Sequence, residues 1–382
     1  MADATLSFVT LGLFIIDDFL FMDDDGNMTG RRVAPQESGQ LLLVVTFAEC
    51  SFTDRRRWNI RSDWCSLSAD KLGMVVDKGH DFPTNIYSAL IGYGEEMWLF
   101  RNREDGITTR ALNSYRGEHR EFQYLTTRIR LTPRDLHLTR LARPKILHFI
   151  CSPTRASIIM SEVSDTKDWN PVTIYEPIPY RCIPSELLAL LDVLPHISVL
   201  SPNAEEALSL LSLPLPPSRQ TIEAAADEFV KYNIGGGSGW VIIRSGVMGA
   251  YVKSQRSSGV WIDAFWTPND SSRVQDVTGA GNSFLGGLAA GLILTGNIVE
   301  ATLYASVSAS FVIEQEGLPA LSSDGLWNND SPQQRLKLLQ DRMNPLGHQR
   351  RICPISPLNT GPMHQLPPVK PHIVIKWSGA EC

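Results

Sequence analysis

The chain has 382 residues, 43% hydrophobic and 20% charged, with a formal net charge of −6. That size and balance suit a soluble protein with a large buried core, folded as one big α/β domain or two smaller ones. The acidic charge argues against a nucleic-acid partner, and no apolar run approaches the roughly 20 residues that span a bilayer.

The opening, MADATLSFVTLGLFII, carries Asp3 and has no basic n-region, so no secretory leader is expected. Within it, residues 7–16 predict a buried strand ending at Asp17-Asp18, before an acidic turn at Asp23-Asp24-Asp25-Gly26. Residues 31–70 break the pattern. They carry a basic knot at Arg55-Arg56-Arg57 and aromatic clusters, with neither helical nor strand period. Three readings stand: a solvated loop, a nucleic-acid patch, or a stretch translated across an incorrect exon boundary. Regular patterning resumes at LGMVVDKGHDFP, 72–83, as a strand, a Gly-x-Asp turn and a helix start. Residues 99–130, rich in Thr, Tyr, Phe and Arg, predict two or three strands of an exposed, lid-like sheet.

From 145 onward short apolar runs alternate with helical periods. Strands are expected at 146–151, 173–177, 197–202 and 240–246, and helices at 186–194, 204–211, 221–232, 282–294 and 298–315. Such alternation predicts a mostly parallel sheet with helices on both faces. The last two helices are rich in Ala, Gly and Ser and should pack closely. The globular domain is expected over 1–330. Residues 347–382 hold six prolines and little apolar period, and read as a disordered tail. Six scattered cysteines, with no C-x-x-C pair, fit reduced thiols in a cytoplasmic protein.

The chemistry concentrates in residues 274–288, VQDVTGAGNSFLGGL. Past Asp276, the small residues Thr278, Gly279, Ala280 and Gly281 open a helix near Asn282. Gly279 and Gly281 let the backbone turn tightly and approach a ligand. The first amides of a helix lack internal partners and carry the positive end of its dipole, which makes an anion cradle.

This segment resembles the C-terminal signature of the PfkB, or ribokinase-like, carbohydrate kinases, Asp-x-x-Gly-Ala-Gly-Asp-x-Phe. The chain departs from it at one position, where Asn282 replaces the family's catalytic Asp. Further matches occur in the family's order. Gly12 and Asp17 are spaced like its first strand, whose Asp binds substrate hydroxyls; an ordinary turn Asp is the plainer reading, and Asp18 is an adjacent alternative. Asn203 and Glu206 match the N-x-x-E pair that organises Mg²⁺ and its waters, although the same spacing is a helix-capping signature. Ser245, Gly246 and Gly249 match a turn that lies along the nucleotide, or form a plain hairpin. Thr108-Thr109-Arg110 and Asn113 suggest polar groups facing a ligand from the lid, with Arg110 pairing an anion, or cross-strand pairs on a solvated sheet.

TTR-x-x-N-x-Y, the DFP turn and GAGN together look like the fungal maintenance-of-killer branch. The resemblance covers roughly 5–30 and 72–325. It implies a three-layer ribokinase-like α/β sandwich with a small β lid, a possible dimer through that lid, and ATP-dependent phosphorylation of a sugar or nucleoside hydroxyl with Mg²⁺. Gly279, Ala280 and Gly281 would form the anion hole, with Asp276 and Thr278 beside the nucleotide. Asn282 could orient a hydroxyl but cannot serve as its base. A kinase using another proton acceptor and a nucleotide-binding pseudokinase acting through protein contacts are therefore both open. A dinucleotide-binding oxidoreductase is disfavoured, because no G-x-G-x-x-G follows the first strand.

Overall fold

The structure is a computed structural model. It describes residues 6–23, 27–29, 36–37, 69–116, 119–322 and 325–344. The three readings of 31–70 fall almost wholly outside these residues, as does the Pro-rich tail at 347–382.

The apolar run at the start of the chain is not one strand. Phe8–Thr10 (β1) lies in the main sheet, and Ile16–Met22 (β2) opens a second, smaller sheet. Between them the Thr10 hydroxyl accepts the Gly12 N–H at 2.9 Å, which turns the chain. The run reads as continuous because both halves are buried: Phe8, Phe14 and Ile16 join the same apolar cluster. The second sheet adds Gln36–Glu37 (β3), and Leu72–Lys78 (β4) returns to the first, followed by the helix Thr84–Tyr93 (α1).

Trp98–Asn102 (β5) corrects a second expectation. It pairs in parallel with β4 as the outer strand of the main sheet, rather than joining the lid. Its lead residue Trp98 is buried, with the indole N–H on Leu90 O at 2.7 Å. The lid strands proper are Arg110–Arg116 (β6) and His119–Tyr124 (β7). The lid order is β3-β2-β6-β7, with β2 and β6 parallel.

After the short helix Pro133–Leu136 (α2), the alternation expected from sequence is present. Ile146–Cys151 (β8), Pro153–Asp165 (α3), Val172–Pro177 (β9), Leu187–Val193 (α4), Val199–Leu200 (β10), Ala204–Leu210 (α5), Arg219–Lys231 (α6) and Trp240–Arg244 (β11) succeed one another. Ala250–Ser254 (β12) and Val260–Ile262 (β13) complete an antiparallel edge. The main sheet runs β13-β12-β11-β10-β9-β8-β1-β4-β5, parallel from β11 to β5.

Ala280–Thr295 (α7), Ile298–Val312 (α8) and Pro332–Met343 (α9) close the described chain. Helices α1, α7, α8 and α9 cover one face of the sheet and α3 to α6 the other, and each face has its own apolar cluster. Alternate residues of each strand feed the two clusters, as a period of two requires: Leu147 and Phe149 on one face, Ile146 on the other. The core therefore continues past residue 330. In α9, Leu336 and Leu339 are buried, and Arg335 bonds Asp330, Glu314 and Ser310 while lying 3.7 Å over the Phe311 ring. Among the described residues no helix is long and apolar enough to cross a membrane.

Candidate functional site

The start of α7 sits where the glycine motif places it, two residues earlier than expected. Asp276 Oδ1 accepts the Thr278 N–H at 2.9 Å and folds the approach into a turn. Gly279 is the N-cap at φ 82°, a left-handed conformation that costs glycine nothing. No side chain caps the helix at Gly279, and the Ala280 N–H turns back on Val277 O at 3.2 Å. Ser283 N–H closes back on Gly279 O at 2.9 Å. Asn282 lies inside this first turn, one residue beyond Gly281.

Above the cradle lies an arginine that belongs to none of the family motifs. Arg244 ends β11, and a Cβ added at Gly281 would collide with its Nη1. Arg244 Nη2 donates to Glu176 Oε1 at 2.5 Å and to Ser201 O at 3.2 Å, and it stands 3.8 Å from Glu206 Oε2. Glu176 lies near the end of β9. Its other oxygen is 3.8 Å from Nε2 of the fully buried His148 on β8, beyond hydrogen-bonding reach. The His148 Nδ1 is 2.9 Å from the Thr10 hydroxyl on β1. These groups come from neighbouring parallel strands, near the carboxyl ends where open α/β sheets bind ligands.

Burial sets the protonation of this row, and charge partners modify it. Burial raises the Glu176 carboxyl, but Arg244 and His148 outweigh it and hold Glu176 below the ordinary carboxylate range. Burial drives His148 below its ordinary 6.5 despite Glu176. Glu206, buried and with Glu176 nearby, is pushed up to about 7 although Arg244 opposes the shift. The signal available in the sequence was one His, Glu or Arg in each of three largely apolar strands, ILHFIC, TIYEP and WVIIR.

Asn203 and Glu206 bond each other. Asn203 N–H donates to Glu206 Oε2 at 2.8 Å, and Glu206 N–H donates to Asn203 Oδ1 at 2.8 Å. That reciprocal pair is a capping box at the start of α5. Among the described residues no group of three or more His, Cys, Asp or Glu could hold a metal. The single carboxylate of Glu206, close to the cradle arginine, fits a magnesium ion held through its waters and a nucleotide's phosphates. The uncapped glycine turn fits the phosphates themselves.

Ser245, Gly246 and Gly249 build the turn between the antiparallel strands β11 and β12. Ser245 N–H bonds Gly249 O at 2.7 Å, and the Ser245 hydroxyl points back to Ile243 O at 3.1 Å. Gly249, at φ 89°, has no room for a Cβ against Ile262 O. Two exposed apolar residues, Val247 and Val277, neighbour Gly246 and Thr278 in sequence.

On the lid, Asp17 and Asn113 come together. Asp17 is buried on β2, and Asn113 Nδ2 on β6 donates to its Oδ1 at 3.1 Å. Asp18, one residue on, instead approaches Arg110 Nη1 at 3.5 Å. Arg110 Nε is 3.3 Å from Asp81, the acid of the Gly79-His80-Asp81 turn. The Arg110 guanidinium is thus engaged by two carboxylates, one of them on the neighbouring lid strand β2. Asp81 is partly buried, but hydrogen bonds from Thr108 and Arg110 hold it below the usual range.

Comparison with known proteins identifies this architecture. The model of the pfkB family carbohydrate kinases matches residues 172–324, which carry β9 to α8 and the cradle between them. The chain is 32% identical over 357 residues to protein C16C9.01c of Schizosaccharomyces pombe, covering 87% of this chain and 92% of that protein. It is 30% identical to Protein MAK32 of Saccharomyces cerevisiae, over 71% of this chain and 79% of that one. A ribokinase of Arabidopsis thaliana, solved in complex with ribose and ATP, superposes with a TM-score of 0.59 at 17% identity, covering 88% and 99% of the two chains. The chain belongs to the PfkB carbohydrate kinase family and has its ribokinase-like fold. Within the family its kin are the fungal MAK32-like proteins.

Proposed function

We propose that the protein binds ATP and transfers its terminal phosphoryl group, slowly, to a hydroxyl of a sugar or nucleoside. The observation that carries this reading is the uncapped, glycine-opened N-terminus of α7 at the carboxyl edge of the sheet. Gly279, Ala280 and Gly281 would receive the transferring group, and phosphoryl transfer is chiefly positioning and charge stabilisation. Asp276, Thr278 and the turn of Ser245, Gly246 and Gly249 would border the nucleotide. Glu206, steadied by Asn203, would face magnesium through water. Bound Mg·ATP would supply the phosphoryl donor and a counter-charge for its oxygens. Asp17, oriented by Asn113, would hold the acceptor's hydroxyls. The solved Arabidopsis ribokinase with ribose and ATP supports this class of ligands by its shared fold. A dimer closed through the lid sheet belongs to the same proposal.

Asn282 favours a second reading. A carboxamide can orient a hydroxyl but cannot take its proton, and loss of a general base costs about 10²–10⁴-fold. A nucleotide-binding pseudokinase is the limit of that loss. Transfer of label from γ-labelled ATP to a panel of pentoses, hexoses and nucleosides separates the two. Slow transfer by the native chain, raised by about 10²-fold or more in Asn282→Asp, is the expected result. If neither protein labels any acceptor while both bind ATP, the pseudokinase reading replaces the kinase.

A further inference from the structure

We infer that Arg244 is the cationic wall of the phosphoryl site, with its Nη1 meeting the terminal phosphate of a nucleotide on the cradle, held in place by Glu176. This rests on the nucleotide reading above and adds to it a residue that the family signature does not contain.

Three observations carry the inference. The first is position. Nη1 lies against Gly281 so closely that a Cβ there would have to push the guanidinium aside. Gly281 therefore serves the arginine as well as the ligand.

The second is the donor inventory. Of the guanidinium nitrogens, Nη2 is committed to Glu176 and Ser201. Nε is buried without a partner, and Nη1 bonds no described residue. A guanidinium presents five N–H donors in a fixed fork, and phosphate oxygens match it.

The third is charge. Arg244 stands beside the positive end of α7, an arrangement that repels a cation in the absence of an anion. Glu176, with Glu206 at 3.8 Å, offsets the arginine from behind, and no side chain caps the helix terminus in front of it. A phosphate between Nη1 and the cradle would complement that terminus and take up the edge of the guanidinium that Glu176 does not hold. Ser201 O and Glu176 fix the other edge of the guanidinium, so Arg244 would be ordered before the ligand arrives.

Calorimetric titration with ATP and with adenosine, in Mg²⁺ and in EDTA, tests this on three variants. Glu176→Gln/Arg244→Gln removes the cation without stranding a buried carboxylate. Gly281→Ala keeps both charges but pushes Nη1 away from the cradle. Arg244→Lys keeps the charge and loses the fork. The double variant and Gly281→Ala should each weaken ATP by about tenfold or more while adenosine changes less than about twofold. Arg244→Lys should fall between them and the native chain. An arginine that only supported the fold would weaken ATP and adenosine alike. That result, or native ATP affinity in a folded double variant or in Gly281→Ala, overturns the inference and leaves the nucleotide reading standing. Should the native protein bind neither ATP nor adenosine, both fall together.

Discussion

At residue 282 the chain exchanges a charge for a dipole, and the surrounding residues determine the consequence. In the nearest ionisable row Arg244 is paired to Glu176, and the buried His148 stands 3.8 Å behind Glu176, so the row is built to hold charge in place rather than pass a proton outward. His148 shows this most clearly, because burial keeps its imidazole below the ordinary 6.5. An unfolded chain takes up a proton there as pH falls through about 6.5, and the native chain does not. Native stability is therefore lost from that side as the solution is acidified. Glu206 works in the opposite sense. With its carboxyl pushed up to about 7, the native state binds a proton before the unfolded state does, and gains stability as pH falls from 7 toward 4.5. Replacing His148 with Gln should remove only the first effect. The melting temperature of His148→Gln should gain on the native protein as pH drops from about 7.5 to about 5.5. A constant difference across that range would mean that the native imidazole is protonated as readily as the unfolded one.

Much of this site is legible in the sequence at the residue scale and part is not. The glycine cradle can be read because its signal is local: five successive residues, 278 to 282, announce a turn and a helix start. Asp17 and Asn113 are read from a resemblance, and the structure brings them together. The Arg244–Glu176–His148 row escapes such a reading because its members lie on three different strands, Glu176 and Arg244 being 68 residues apart. Register alone makes them neighbours, and a sequence shows register only once the sheet order is known. Arg110 reads either toward an anion or as one of the cross-strand pairs of a solvated sheet, because no local pattern separates the two. Asp18 and Asp81 claim it through a lid geometry that no local pattern reveals.

Elements divide in the same way. Helices α4 to α8 are legible in the sequence, and α5, α6 and α8 start at a capping side chain and α7 at Gly279, whereas α3 is not among the expected helices. The split between β1 and β2 is not, since residues 7–16 stay apolar across a junction of two sheets that both bury them. Trp98–Asn102 reads as part of the lid because its composition resembles that of the lid strands, yet pairing with β4 decides its sheet. The close contact of α7 and α8 is foreshadowed by their small residues and has a measurable consequence. A Cβ at Gly291 would stand 2.5 Å from Ala301 Cα. Alanine at this position gains roughly 1 kcal/mol of helix propensity, but overpacking of this kind costs about 1–3 kcal/mol. Gly291→Ala should therefore unfold at lower urea than the native chain, with its m-value unchanged. A higher midpoint would show that the two helices have slack between them.

Among the described residues, two apolar layers brace one sheet, with the lid sheet beginning at β2 just past β1. That plan is readable from the alternation of strands and helices after residue 145 and from the family signature. The family match at 172–324 covers the half proposed to bind the nucleotide. The acceptor half draws on Asp17, Asn113 and the lid, so the two halves of the proposed reaction can be tested apart. Nucleotide binding is the claim on which the rest depends, and ligand-dependent melting of the full chain tests it most directly. A ligand that binds only the native state, at a hundredfold excess over its dissociation constant, stabilises by about 2.7 kcal/mol. In a domain of this size that corresponds to a rise of roughly 3–5 °C. Millimolar Mg·ATP should raise the melting temperature by several degrees, and an unchanged melting temperature, with a ribokinase control responding in the same plate, would contradict the account.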